Sequence, residues 1–249
     1  MVSGSPSSSG TAPLARLQLM HRFFVEPGAM AAARFPLPPA IAHQVTRVLR
    51  LADGHELILL DGVGTQVRCR LEGANCIVLE RGEANGEASH RLTVWQALLK
   101  GDHLEPVIRH GTEIGIARFG LFVSERCIVR ELSPRKLERL RAVAREAAEQ
   151  SERGIVPPVD APVSYSDALR AAASGSILLF ERKNSRRLTQ LEPPPGVFIG
   201  PEGGFSPAEI EGAGWAGATV AGLGPRILRS ETVAVAAAAA ILSRTGDFA

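Results

Sequence analysis

The sequence predicts two units in series, a small all-β module followed by an α/β domain built on a parallel sheet. From His21 to about Gly86, short apolar or alternating runs are separated by Asp-Gly and Gly turns, which is a strand texture. From Arg91 onward, strand-like runs alternate with helical ones, the order that folds into a parallel sheet with helices on both faces. The polar stretch Glu87 to His90 separates the two textures and marks a domain boundary. The resulting division is a tail at 1–19, a β module at 20–88 and an α/β domain at 89–249.

The composition limits the function classes. With 28 Lys and Arg against 26 Asp and Glu the net charge is +2, so no global basicity announces nucleic acid. Three cysteines, Cys69, Cys76 and Cys127, are odd in number and lack CxxC spacing. That argues against a disulfide framework and a structural zinc, and it fits a reducing cytoplasm. No apolar run reaches the roughly 20 residues that span a bilayer, so no membrane or metal partner is expected.

The elements follow in order. Residues 1–19 are rich in Ser, Gly and Pro without the pattern of a secretory signal, and disorder is expected there. The run HRFFVEP ends at Pro27, and alternation from Gln44 to Leu51 reads as strand. HELILLDGVGTQVRCRLEG and NCIVLERGE give further strands, with turns at Asp53-Gly54, Asp61-Gly62 and Gly73. Short strands without helices of any length point to a small barrel. Gly62-Val63-Gly64 sits in a hairpin with no helix after it, so it is not a dinucleotide fingerprint.

In the second unit RLTVWQALL and ARFGLFVS read as strands flanking the amphipathic helix LEPVIRHGTEIG. Ser133 caps a helix with Pro134 at its first position and Leu137, Leu140, Val143, Ala144 and Ala147 at helical spacing. The helix SDALRAAA, the strand SILLF and a long loop from Glu181 to Gly196 come next. Then come the strand before Gly200, a helix, the strand ATVAGLG and a last Ala-rich helix from Ser230, for which Ser230 is the natural N-cap.

Two strand ends carry the chemistry. VFIGPEGGFS, Val197 to Ser206, has three glycines around Pro201-Glu202, which lets main chain turn sharply and approach a ligand. It leads into a helix capped by Ser206, with Pro207 at the first position and Glu209 completing a capping box. The second is Leu223 to Thr232, LGPRILRSET. In one parallel sheet both loops reach the crevice at the carboxyl ends of the strands, where ligands bind. Neither is GxxxxGK[ST], which disfavours a nucleoside triphosphate with Mg²⁺. Glu202 is placed to accept from a ribose or amino group, or is a solvated turn carboxylate. Glu231 and Thr232 fall in the first turn of the last helix, where a carboxylate is favoured by the dipole alone.

Seven segments together resemble a known family: HRFFV at 21–25, HQVTRVLR at 43–50, KGDHLEPVIRHGTEIG at 100–115, SERCIVR at 124–130, AREAAEQSERGIVPPV at 144–159, IGPEGGFSPAEI at 199–210 and LGPRILRSETVAVAA at 223–237. Their order and content are similar to the bacterial ribosomal RNA small subunit methyltransferase E family, which makes N3-methyluridine in 16S rRNA. The resemblance implies an N-terminal PUA-like β-barrel that binds RNA and a SPOUT-class α/β domain whose C-terminal segment threads a trefoil knot. It also implies a homodimer acting on 16S rRNA or the small ribosomal subunit. S-adenosylmethionine would lie against Phe198, Ile199, Gly200, Pro201, Glu202, Gly203 and Gly204 of the first loop. Leu223, Gly224, Ile227, Leu228 and Arg229 of the second loop would face it.

Uracil N3 becomes a nucleophile only as its proton leaves, so positioning and a proton acceptor are the two demands. Arg229 is the candidate to stabilise the developing uracilate. Glu231 is the candidate proton acceptor, or orients Arg229. Arg22, Arg47 and Arg50 on the barrel, with Lys183 and Arg186 in the long loop, are candidates for rRNA phosphates. Arg135, Lys136, Arg139 and Arg141 read as the wet face of a helix. His110 stands where the family often has Lys. Two other readings stay open: a non-catalytic RNA-binding protein with a vestigial cofactor pocket, and a SPOUT enzyme methylating a ribose 2′-hydroxyl of another RNA.

Overall fold

The computed structural model describes residues 20–181 and 186–248, so the expectations for residues 1–19 and for Lys183 lie outside the described residues. The chain forms two sheets. The first comprises β1 (Arg22–Phe24), β2 (Arg34–Pro36), β3 (Glu56–Leu60), β4 (Thr65–Glu72) and β5 (Asn75–Glu83), ordered β1-β3-β4-β5-β2. The β1–β3 pair is parallel and the others are antiparallel; among the described residues no pairing joins β1 to β2. Alternation places Leu57, Leu59, Val67, Cys69 and Leu71 inside, packed with Phe23, Met30, Phe35 and Cys76. The Asp61 carboxylate holds the β3–β4 hairpin by accepting from the Val63 and Thr65 amides, both at 2.9 Å.

The stretch read as strand from Gln44 to Leu51 is instead helical. A short helix, α1 (Pro39–His43), runs into a π-helical turn over Gln44–Val48. Pro39 at the first helical position presets the turn, and Ile41 and Val45, four residues apart, are the buried pair. In a strand Val45 and Arg47 would share a face; here Val45 is buried and Arg47 is exposed.

Among the described residues the second sheet has seven strands, all parallel, in the order β10-β12-β9-β11-β6-β7-β8. In chain order its elements are β6 (Thr93–Ala97), α2 (Leu104–Glu113), β7 (Arg118–Val123), α3 (Pro134–Gln150), β8 (Val163–Ser164), α4 (Tyr165–Ala171) and β9 (Ile177–Leu179). These are followed by β10 (Arg186–Arg187), β11 (Gly196–Ile199), α5 (Pro207–Trp215), β12 (Thr219–Gly222) and α6 (Ser230–Leu242). The segment read as one long loop thus holds β10 and a 3-10 turn at Leu188–Gln190, anchored by buried Leu188. Every side chain of β11 is buried, as a strand covered on both faces requires. Helix α2 packs on α3 and α6, while α4 and α5 lie against β7 and β12.

The two sheets meet along α3. Arg145 donates to the Phe24 carbonyl at 2.6 Å and stacks over its ring, and the Glu149 carboxylate accepts from the Phe24 amide at 3.3 Å. Arg153, almost completely buried, pairs with Glu87 at 2.7 Å and donates to the carbonyls of Thr112 and Ile116. A buried guanidinium is tolerable because its donors are shared among a carboxylate and two main-chain acceptors.

Candidate active site

One cavity of about 920 Å³ opens at the carboxyl ends of the strands. Its wall includes Ile199 to Phe205 after β11, Leu223 and Ile227 to Glu231 after β12, Leu179 to Glu181 after β9, and Lys100 and His103 after β6. The two glycine loops therefore share one crevice, although β9 lies between their strands. Local sequence sets each wall. Ser206 caps α5 by accepting from the Glu209 amide, and the Glu209 carboxylate accepts in return from the Ser206 amide at 2.9 Å. The same carboxylate accepts from the Glu125 amide at 2.8 Å, so the capping box also fixes the segment after β7. Burial, and then the Glu209 charge, pushes the Tyr165 phenol above its ordinary value; that phenol donates to the Glu209 carbonyl. Gly204 at φ +67° and Gly224 at φ +133° adopt backbone that side chains rarely allow.

Ser230 does not cap α6. The N-cap position falls on Arg229, and Ser230 is the first helical residue. Its hydroxyl donates to the Gly200 carbonyl at 2.6 Å and accepts from Gln96 Nε2 at 2.9 Å. Gln96 is fully buried at the end of β6, so this pairing takes precedence over a solvent-exposed cap. The result ties both glycine loops to β6.

Of the cofactor residues expected from the sequence, Ile199, Gly200, Pro201, Glu202, Gly203, Gly204, Leu223, Ile227, Leu228 and Arg229 line the cavity. Phe198 is fully buried and stacks on Trp95 with centroids 5.6 Å apart, so it supports the loop from the core. Gly224 is exposed and shapes its loop without reaching the wall. The Glu202 carboxylate accepts from the Lys100 amide at 3.1 Å, joining the β11 and β6 ends. Glu231 lines the cavity, and its carboxylate lies 3.4 Å from His103 Nδ1; among the described residues no ion pair joins it to Arg229. Arg47, Arg50 and Arg186 are exposed. Arg22 is mostly buried, 3.9 Å from Glu152, and two of its nitrogens have no partner among the described residues. His110 lies away from the cavity, 3.1 Å from Glu113. Lys136 and Arg139 make ion pairs with Asp102 and Glu105.

Sequence reasoning gave no role to Lys100, His103, Arg126 or Glu181, yet all four line the cavity. Glu181 accepts from the Leu228 amide at 2.8 Å, bracing the second loop from β9. Arg126 donates to the Gly203 carbonyl at 3.1 Å. The signal was available for the residues after β6 and β9: each follows a strand that the alternation had already assigned to the sheet.

A parallel sheet with a deep, main-chain-lined crevice at its strand ends defines a small-molecule-binding α/β domain of the kind that nucleotide-like cofactors occupy. A family model for the RNA methyltransferase domain matches residues 86–242. The chain is 30% identical to ribosomal RNA small subunit methyltransferase E of Bacillus subtilis over 91% of its length and 97% of the relative's. It is 34% identical to the protein of that name in Synechocystis, over 90% of this chain and 77% of the other. Among solved structures, a ribosomal RNA small subunit methyltransferase E from Neisseria gonorrhoeae bound to S-adenosylmethionine superposes with a TM-score of 0.80. It shares 30% identity, covering 90% of this chain and 98% of that one. This chain belongs to the ribosomal RNA small subunit methyltransferase E family.

Proposed function

We propose that this chain transfers a methyl group from S-adenosylmethionine to N3 of one uridine in 16S rRNA. The observation that carries the reading is the cavity: a crevice built from main chain and apolar side chains of two glycine loops, in a chain of this family. The fit to the cofactor is physical. A volume of about 920 Å³ is enough for a nucleoside-sized ligand. The loop backbone around Gly200, Gly203 and Gly204 lines it without side chains in the way, and Leu223, Ile227 and Leu228 supply apolar walls. These residues would hold the cofactor, which supplies an electrophilic methyl group on a sulfonium.

The chain's own groups then bind and orient the base. Arg229 stabilises the charge that develops on the uracil as its proton leaves, and Glu231 manages that proton. Residues 20–88 form a PUA-like module that grips rRNA through Arg47 and Arg50, assisted by Arg186 from the second unit. Residues 89–249 form a SPOUT-type methyltransferase domain whose last segment threads a trefoil knot, and two copies pair. Such backbone contacts are salt-sensitive. Arg22 belongs to this set only if RNA draws it out of its contact with Glu152.

The decisive experiment maps uridine methylation in 16S rRNA from cells with and without the gene. Loss of N3-methyluridine at one position, restored by the wild type and not by Arg229→Ala, is the expected result. Unchanged methylation, together with no S-adenosylmethionine binding by calorimetry, would leave a non-catalytic RNA-binding protein.

A further inference from the structure

Building on that reading, we infer that His103 is the proton acceptor for the target base and that Glu231 positions it. His103 sits at the start of α2, directly after the turn that follows β6, and its ring faces the cavity that the two glycine loops enclose. Its Nδ1 lies 3.4 Å from the Glu231 carboxylate, whose side chain is mostly buried. At that distance the negative charge favours a proton on Nδ1, which leaves the lone pair on Nε2. This is the logic of a base oriented by a third group. Glu231 itself is a poor final acceptor, because a carboxylate's ordinary basicity lies further below working pH than an imidazole's.

Several charged groups surround the ring. Lys100 and Asp102 flank it on its own turn, and Glu105 follows on α2. From α3, Lys136 reaches Asp102 and Arg139 reaches Glu105, so those two acids are already engaged. Arg126, Glu202, Arg229 and Glu231 also line the cavity, with Glu202 held by the Lys100 amide. In the step itself, the N3–H bond breaks and its proton passes to Nε2, the electron pair left on N3 forms the new bond to the methyl carbon, and the donor's carbon–sulfur bond would break with its pair going to sulfur, leaving a neutral thioether. The positive charge brought by the methyl donor ends on the imidazolium, so charge is conserved.

The test has three arms on the full chain. In the free wild-type protein, ¹⁵N NMR of the His103 ring should show the Nδ1–H tautomer, and Glu231→Gln should redistribute it; a ring protonated at Nε2 alone overturns the proposal without any variant of His103. Calorimetry should show His103→Gln binding S-adenosylmethionine as the wild type does. Single-turnover methyl transfer to rRNA should then fall by about 10²- to 10⁴-fold. The acid-side limb that a histidine gives between about pH 5 and 8 should disappear. A His103→Gln enzyme that retains both rate and pH profile overturns the assignment. Product mapping separates the layers: methyl on a ribose oxygen overturns the uridine-N3 reading while the pH comparison still judges His103, and no methylation by the wild type overturns both.

Discussion

Removing the Ser230 hydroxyl should loosen the cavity and destabilise the domain together. Ser230→Ala deletes two hydrogen bonds, to the Gly200 carbonyl at 2.6 Å and from Gln96 Nε2 at 2.9 Å. Gln96 keeps one bond, from Nε2 to the Ala97 carbonyl at 3.1 Å, but its Oε1 has no partner among the described residues and its side chain is fully buried. One N–H is therefore stranded away from water, at a cost of about 1–3 kcal/mol. The Gly200 carbonyl borders the cavity, where water replaces the lost donor, so its share is the smaller. We expect a total loss of about 1.5–3 kcal/mol in urea unfolding. S-adenosylmethionine affinity should drop by about tenfold, the equivalent of roughly 1.4 kcal/mol of loop positioning. Ser230→Thr keeps the hydroxyl and should stay near the wild type. Adding Gln96→Leu to Ser230→Ala removes the stranded group, so the double variant should recover part of the stability, and the cycle should show coupling. If Ser230→Ala changes neither the urea midpoint nor the affinity, the hydroxyl does not tie the loops and the reasoning fails.

Arg153→Met should cost about 3–5 kcal/mol in urea unfolding, because Glu87 is left without its partner where the two sheets meet. Gly120→Ala places a methyl group into the Trp95 ring and should destabilise by about 1–3 kcal/mol, read from the thermal midpoint. Burial pushes the Asp61 carboxyl up, but the amides of Thr65 and Val63 outweigh it and hold the group below its ordinary value. Its stabilisation is then present above the unfolded value of about 3.9 and is lost as pH falls through the folded one. The wild-type urea midpoint should consequently fall more steeply below about pH 4 than that of Asp61→Asn.

Much of this was legible in the chain. The parallel sheet followed from the alternation after Arg91, and α3 and α5 begin where Ser133-Pro134 and Ser206-Pro207 place them. Local signals suffice there because capping and proline geometry act within one turn. The misreadings came from groups whose partners are distant in sequence. Ser230 looked like a cap because its rivals, Gly200 and Gln96, stand 30 and 134 residues away. Gln44 to Leu51 looked like a strand because apolar alternation over so few residues fits both periods until burial decides between them. The side chain of Phe198, placed beside the cofactor by the motif, packs into the core because a central strand sends its large side chains into the layers beside it. His103 and Glu181 drew no attention because neither sits in a glycine loop.

The sheet order adds a constraint that no single motif contains. β11 enters between β9 and β6, two strands that precede it in the chain, and β12 then pairs with the far side of β9. The wall of the cavity is therefore incomplete until the last third of the chain has docked. The bonds that close it run across those joints: Glu202 to Lys100 between the β11 and β6 ends, Glu181 to Leu228 between β9 and the second loop, and Ser230 to Gly200 and Gln96 across three elements. Each joins the final segment to residues placed earlier, so the site is an outcome of the whole assembly rather than of either loop. A ligand that contacts both loops at once binds the closed arrangement and not its precursors. It must then stabilise the fold by mass action, by an amount that grows with the logarithm of its concentration over its dissociation constant.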